Sequence, residues 1–315
     1  MGHQIKDMLL ECSFAGGKCY PENFTHFYSN NYGNCYTLQH EKFISRTSGP
    51  SGGLELVLHL ETEEYVPYFT TNNGIRVVVH EPNSLPFPDE NGLSVMPGTN
   101  TFIGIKQVNV TRLPTKYDNC SNDDYNQIYN FAYTLYTCQS ICEYNRIRDE
   151  CNCSSNANRE IQNVLKTDND THCRNNKTDC VRTKHFERDT SQCDCKNPCK
   201  ETLYQEVISS TKWPTAEYAT VFSIPICHVK NLTCGFAGEK LIQEFVKLNI
   251  FYQDLNHQVI VEKADYEIYQ LFSDIGGTLG LWIGISVLGI FEVVHLIIRV
   301  AVFLITGRCA QTKPK

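Results

Sequence analysis

Residues 274–306 read DIGGTLGLWIGISVLGIFEVVHLIIRVAVFLIT. The run is longer than the roughly 20 apolar residues a helix needs to cross a bilayer, so one membrane span is expected here. Its composition is unusual for a plain anchor, because glycine crowds the entrance and Glu292, His295 and Arg299 interrupt the second half. Gly276, Gly280 and Gly284 recur every four residues and share a helix face on which backbones can approach closely. Glu292, His295 and Arg299, spaced three and four apart, also share a face. A charge at the bilayer centre costs roughly 2.5 to 3.5 kcal/mol on insertion scales, so that stripe is expected to face a water-filled interior. Pairing of Glu292 with Arg299 along the helix, or snorkelling of Arg299 to the interface, would account for the same residues without a pore.

The 273 residues before this run are polar, rich in aromatics and cysteine, and hold no second apolar segment of spanning length. Three features place them outside the cell. Asn-x-Ser/Thr acceptor triplets occur at Asn23, Asn109, Asn169, Asn176 and Asn231, with weaker ones at Asn119 and Asn152 whose middle residue is cysteine. Fifteen of the 16 cysteines precede residue 274, a density that belongs to an oxidising compartment. The tail GRCAQTKPK carries Arg308, Lys313 and Lys315 and no acid, which fits a cytoplasmic end. A net charge of −7, with no basic stripe interleaved with aromatics, excludes nucleic acid as a partner. No nucleophile elbow, metal-binding helix or phosphate loop is present, so neither an enzyme nor a cofactor is expected. His59, His80 and His172 read as scattered surface or packing residues.

Residues 54–110 read as strands. LELVLHL alternates, GIRVVVH is β-branched and TFIGIKQVNV alternates again, with the turn-rich EPNSLPFPDENG between them. From about 123 to 149, Tyr129, Ala132, Tyr133, Tyr136, Cys138 and Cys142 fall at helical intervals. Residues 152–179 read as polar loop, 185–193 as a short helix, and ETLYQEVISST and LNIFYQDLNHQVIVEKADYEI as strands. Cys138 and Cys142, four apart, share a helix face, and Cys193 and Cys195, two apart, are expected on one strand face, so a helix riveted to a strand is one arrangement. Ten cysteines from 120 to 199 allow many connectivities. The thiolates of CDCKNPC have a spacing that also suits zinc, but an oxidising compartment disfavours it, and no metal is expected.

With the span, the cysteine ladder and the strand pattern in hand, the chain resembles the superfamily of degenerins, epithelial sodium channels and acid-sensing channels. The stretches that carry the likeness are GHQIKDMLLECSFAGGKC, YGNCYTL, GLELVLHLETEEYVPY, GLSVMPGTNTFIG, the array from TCQSICEYNRIRDECNC to CDCKNPC, STKWPT, and above all DIGGTLGLWIGIS. The resemblance implies an α+β, disulfide-rich extracellular domain of palm, finger, knuckle and thumb type followed by one C-terminal transmembrane helix. Its expected parts are a β-rich palm and finger over 1–118, a stapled thumb over 119–200, knuckle and returning palm strands over 201–270, the membrane helix over 271–306 and a cytoplasmic tail over 307–315. It also implies pairing of Cys12 with Cys19, Cys120 with Cys199, Cys138 with Cys195, Cys142 with Cys193, Cys151 with Cys180 and Cys153 with Cys173. Cys227 and Cys234 are left to bridge a short loop, as in some peptide-gated members. Cys309 is expected in the cytosol. Cys35 corresponds to a cysteine that the family pairs with one further upstream. From this, and because MGHQIKDMLLECSFAGG has neither the apolar core of a signal peptide nor a spanning segment, the chain is expected to be an N-terminally truncated subunit that lacks the first span.

The same resemblance assigns the polar and glycine positions of the opening stretch. Gly284, Ile285 and Ser286 occupy the family's Gly-x-Ser selectivity filter, where the helix breaks and turns carbonyls to the pore. Freed carbonyls at membrane depth are tolerated only where they line water or protein, and there they can replace the hydration of a small cation. Gly280, Glu292, His295 and Arg299 are implied to line the pore, Glu292 as a cation-concentrating ring. Ser273, Asp274, Gly276 and Gly277 are implied in gating, with a bulky residue at Ser273 holding the channel open. The expected function is a subunit of a homo- or heterotrimeric, amiloride-sensitive sodium channel of the plasma membrane, embedded in lipid. The acid-rich positions of the proton-sensing branch are depleted in FTTNNG and VRTKHF, which disfavours proton gating; peptide gating, mechanical tethering and constitutive leak stay open, with a lean to a peptide ligand from the pair Cys227 and Cys234. The rival reading is a single-span cell-surface binding protein that does not conduct.

Overall fold

The computed structural model describes residues 3–310 apart from 30, 63, 64, 67, 69, 114–119, 122–124, 126–129, 155–160, 162–164, 166–172, 174–176, 187–192, 220, 222–241 and 285. The chain divides into two units, Met1–Glu262 and Lys263–Lys315.

The first unit is built on a mixed sheet of six strands in the order β2-β1-β5-β10-β8-β9. These are β1 (Leu9–Phe14), β2 (Gly17–Lys18), β5 (Leu54–His59), β8 (Thr99–Thr111), β9 (Lys200–Lys212) and β10 (Phe245–Val261). Two hairpin ribbons stand beside it, β3 (Phe24–Ser29) with β4 (Gly33–Leu38) and β6 (Ile75–Val77) with β7 (Leu93–Val95). Short helical turns α1 (Ile5–Met8) and α2 (Pro88–Asn91) complete this part.

Alternation explains the sheet's core face. Leu56 and Leu58 on β5, Ile103 and Ile105 on β8, and Val246 and Leu248 on β10 point to one side and pack with Leu60 and Val95. Register brings Leu248 opposite both Leu56 and Thr101, and Val246 opposite Leu58 and Thr99. Such same-face neighbours are the unit of sheet stabilisation, and each fully buried aliphatic side chain contributes about 1.5 to 3 kcal/mol. β8 is paired along its whole length with antiparallel β9 and, on its other side, with parallel β10. Between Tyr252 and His257 four residues of β10 pass against one of β8, Lys106, a wide irregularity that precedes the last paired stretch, His257–Val261.

The stapled lobe comprises α3 (Leu135–Cys151) and α4 (Thr178–Phe186). One continuous helix from about 123 was expected; residues 123, 124 and 126–129 lie outside the described ones and Tyr125 is helical, but α3 itself starts at 135, for two reasons. Asn130 adopts a left-handed φ of 61°, which stops a right-handed helix from running through it. Thr134 then takes the N-cap, its Oγ1 accepting from Thr137 N–H at 3.1 Å. Ile141 and Tyr144 pack on Phe131 and Ile161, while Ile147 packs among Cys151, Cys153 and Cys173. α4 spans 178–186, overlapping the end of the loop expected over 152–179 and the start of the short helix expected over 185–193, of which 187–192 lie outside the described residues. Cys193 and Cys195 are not on a strand: the chain there is irregular, and β9 begins only at Lys200. The rivet therefore joins a helix to the segment that leads into β9.

The second unit consists of α5 (Ile268–Ile283) and α6 (Val287–Ala310). Within α6, Leu288–Thr306 is long and apolar enough to cross a membrane.

Candidate functional site

The interruption between α5 and α6 is written in the local chemistry of glycine and serine. Gly284 closes α5 with φ 69°, and its N–H donates back to Leu279 O. A left-handed glycine is the common way to end a helix, because it has no Cβ to clash. Nothing lies within 4 Å of where a Cβ on Gly284 would sit, so backbone conformation alone makes the position demand glycine. Two residues on, Ser286 restarts the helix as a serine N-cap, its Oγ accepting from Gly289 N–H at 3.1 Å and its carbonyl accepting from Ile290 N–H at 3.1 Å. Ile285 lies outside the described residues. The last-turn carbonyls of α5 have no continuing helix to satisfy them. In an apolar setting, such groups can serve as oxygen ligands for a cation.

On α5, the small residues Ser273, Gly276, Gly277 and Gly280 fall on one stripe at helical spacing. No atom lies within 4 Å of an added Cβ at Gly276 or Gly277, so a neighbouring helix could come to backbone contact along that stripe. Asp274 lies to one side of it and accepts a hydrogen bond from the Tyr266 hydroxyl at 2.5 Å. That bond raises the Tyr266 phenol above its ordinary pKa. On α6, Glu292, His295 and Arg299 share a face, and over their seven-residue span the helix rises by about 10 Å.

Among its described residues the first unit holds six disulfides: Cys12 to Cys19, Cys120 to Cys199, Cys138 to Cys195, Cys142 to Cys193, Cys151 to Cys180 and Cys153 to Cys173. The last five are nested like rungs across the stapled lobe. Cys35 is a free thiol, and burial pushes its pKa up to about 11. Cys227 and Cys234 lie outside the described residues, as do Asn119, Asn169, Asn176 and Asn231. Among the acceptor asparagines that are described, Asn23 accepts from Tyr20 N–H at 2.9 Å, and Asn109 sits mid-strand on β8, accepting from Gln107 Nε2 at 3.0 Å. Asn152 caps the C-terminus of α3 with a left-handed φ of 50°, and the Ser154 of its triplet is buried.

Two groupings had no signal in the sequence, because their members are far apart along the chain. The first is a corner of histidines and acids. His3 Nδ1 lies 2.8 Å from Glu61 Oε2, and His59, stacked on Phe245, has Nε2 3.8 Å from Glu244 Oε2. Glu244 also accepts from the Thr62 N–H at 3.0 Å and from its hydroxyl. The second is where β8, β9 and β10 end together. Arg112 Nη2 donates to Glu201 Oε1 at 2.5 Å, and its Nη1 donates to Pro198 O at 2.7 Å. Leu113 N–H donates to Glu262 Oε2 at 3.1 Å. Among the described residues no group of three or more His, Cys, Asp or Glu is placed to hold a metal ion.

Comparison with known proteins bears on both units. The family described as amiloride-sensitive sodium channel matches residues 1–296. The chain is 29% identical over 385 residues to an FMRFamide-activated amiloride-sensitive sodium channel of Cornu aspersum, covering 95% of this chain and 62% of that protein. It is 33% identical over 313 residues to acid-sensing ion channel 4-B of Danio rerio, covering 95% and 53%. To epithelial sodium channel subunit beta-2 of Xenopus laevis it is 29% identical over 317 residues, covering 95% and 48%. The chain thus spans about half to three-fifths of the length of these relatives.

Proposed function

We propose, from the premise that this chain belongs to the amiloride-sensitive sodium channel family, that it is a subunit of a trimeric, sodium-selective, amiloride-sensitive channel of the plasma membrane. The observation that carries this reading is the interruption at Gly284 and Ser286 inside the apolar C-terminal segment. A membrane anchor has no use for a left-handed glycine and a serine cap in the middle of its hydrophobic length. A pore does, because the break frees carbonyls to replace the water around sodium. Three copies of Gly284, Ile285 and Ser286 form the narrow part of the pathway. Glu292 draws cations toward it from the inner side, with Gly280, His295 and Arg299 lining the rest.

The first unit is extracellular in this reading, with cytoplasmic residues 307–315 beyond the span. The stapled lobe is the thumb, the six-stranded sheet the palm, and the stripe of Ser273, Gly276 and Gly277 the packing surface of the closed gate. Trimers form with like or unlike subunits of the family. Opening by a peptide is supported by the likeness to a channel whose name states activation by FMRFamide and by the thinned acidic positions in FTTNNG and VRTKHF. Expression in oocytes, alone and with family subunits, tests the reading. It predicts an inward sodium current blocked by amiloride and raised by FMRFamide. Surface delivery of every combination without such a current would return the chain to the class of non-conducting surface proteins.

A further inference from the structure

We infer that Glu262 is a positioning residue for gating, which clasps the strand that enters the stapled lobe to the strand that feeds the pore helices. The gating half of this inference rests on the channel reading above. Three crossings of the chain meet at one end of the sheet. β8 ends at Thr111 and leads through Arg112 and Leu113 toward Cys120. Cys199 leads out of the lobe into β9 at Lys200. β10 ends at Val261, and Glu262 is the last residue of the first unit before the chain passes on to α5.

Side chains from both neighbouring strands hold the central one. Glu262 N–H donates to Thr111 O at 3.0 Å, which continues the parallel ladder by one residue. The next donor, Leu113 N–H, has run past the end of β10, and the Glu262 carboxylate folds back to accept it at 3.1 Å. From the other side, Arg112 is gripped by Glu201 of β9 and by Pro198 O. Arg112 N–H donates to Cys199 O at 2.8 Å, and Cys199 is itself bonded to Cys120. A displacement of the lobe must pull on residues 112–113, because both of its connections are fixed there. Glu262 is the side chain that hands this pull to β10. Without it the lobe and β9 stay joined through Arg112, while β10 keeps only its backbone ladder.

The test uses the full chain in lipid nanodiscs for hydrogen exchange, and co-assembled channels in oocytes with FMRFamide and acid steps as probes. In Glu262→Ala the Leu113 amide exchanges at least tenfold faster, since an amide bonded to a carboxylate is among the better protected. Amides of residues 101–108 exchange as before. Glu262→Gln, which keeps an acceptor oxygen, restores most of the protection. In the channel, Glu262→Ala shifts the half-maximal stimulus at least threefold with unitary conductance unchanged, and Glu262→Gln lies between it and the wild type. Unchanged exchange at Leu113 overturns the clasp. Faster exchange with an unchanged stimulus response overturns the gating role and leaves a purely structural contact. Absence of any wild-type current overturns the channel reading and the gating role with it, while exchange at Leu113 still decides the clasp.

Discussion

Replacing Cys138 and Cys195 together by serine removes one rung of the stapled lobe, and nesting sets the size of the effect. The rungs Cys120–Cys199, Cys138–Cys195, Cys142–Cys193 and Cys151–Cys180 have sequence separations of 79, 57, 51 and 29. Successive rungs therefore enclose rings of 22, 6 and 22 residues, the differences between those separations. Opening the second rung merges the first two rings into one of 28 residues. The loop-entropy relation then gives a loss of about 2 kcal/mol, against about 4 for an isolated loop of the same span. Removing both middle rungs merges all three rings and costs about 5 kcal/mol, nearly 1 more than the two single losses together. Pulse proteolysis of the full chain across a urea series reads these values, with each 2 kcal/mol moving the midpoint by about 0.7 M at a slope near 3 kcal/mol/M. A single-rung loss near 4 kcal/mol, or a double loss smaller than the sum of the singles, would refute the nested-ring reasoning.

Ser273→Phe places a large ring on the small-residue stripe of α5, and a resting amiloride-sensitive current several times that of the wild type is expected in oocytes. In the proposed channel, Glu292→Gln removes one negative charge per subunit from the ion pathway, and unitary sodium conductance should fall about twofold at low ionic strength. That difference shrinks as salt is raised, because screening weakens the ring. His80 is held below its ordinary pKa by burial, against partial compensation from hydrogen bonds to Glu81 O and Ser84 Oγ. A histidine kept neutral in the folded state binds more protons when unfolded, so its contribution is complete above its ordinary pKa and declines as pH falls toward the folded value. Urea midpoints of the wild type should accordingly drop below about pH 6.5 more steeply than those of His80→Gln.

Much of this organisation was legible because it depends on local patterns. The alternation of LELVLHL marks a half-buried strand whichever strands flank it, and β5 occupies Leu54–His59. GIRVVVH has equal β-branching yet supplies only Ile75–Val77, because its partner β7 is itself three residues long. The parallel pairing of β8 with β10 joins residues about 150 apart and leaves no trace in either segment alone. Periodicity gives one uninterrupted helix from about 123 to 149, since aromatic spacing does not reveal that Asn130 is left-handed or that Thr134 caps a new start. In the apolar C-terminal segment, glycine and serine two residues apart are a stop and a start that the structure displays as Gly284 and Ser286. The Arg112, Glu201 and Glu262 junction was invisible for the opposite reason. Charged residues at strand ends look like solvated surface until topology brings three ends together.

The sodium-to-potassium permeability ratio, taken from reversal potentials, tests the account most directly when Gly284→Ala is compared with Gly289→Ala. Gly284 has φ 69°, where an L-residue is strained by about 1 to 2 kcal/mol. Gly289 sits inside α6, and an added Cβ there meets only Ser286 Oγ at 3.7 Å, an ordinary contact. The account predicts that the ratio falls at least tenfold in Gly284→Ala and changes less than twofold in Gly289→Ala. Equal ratios in both variants and the wild type would contradict it, for the break would then have no part in choosing the ion.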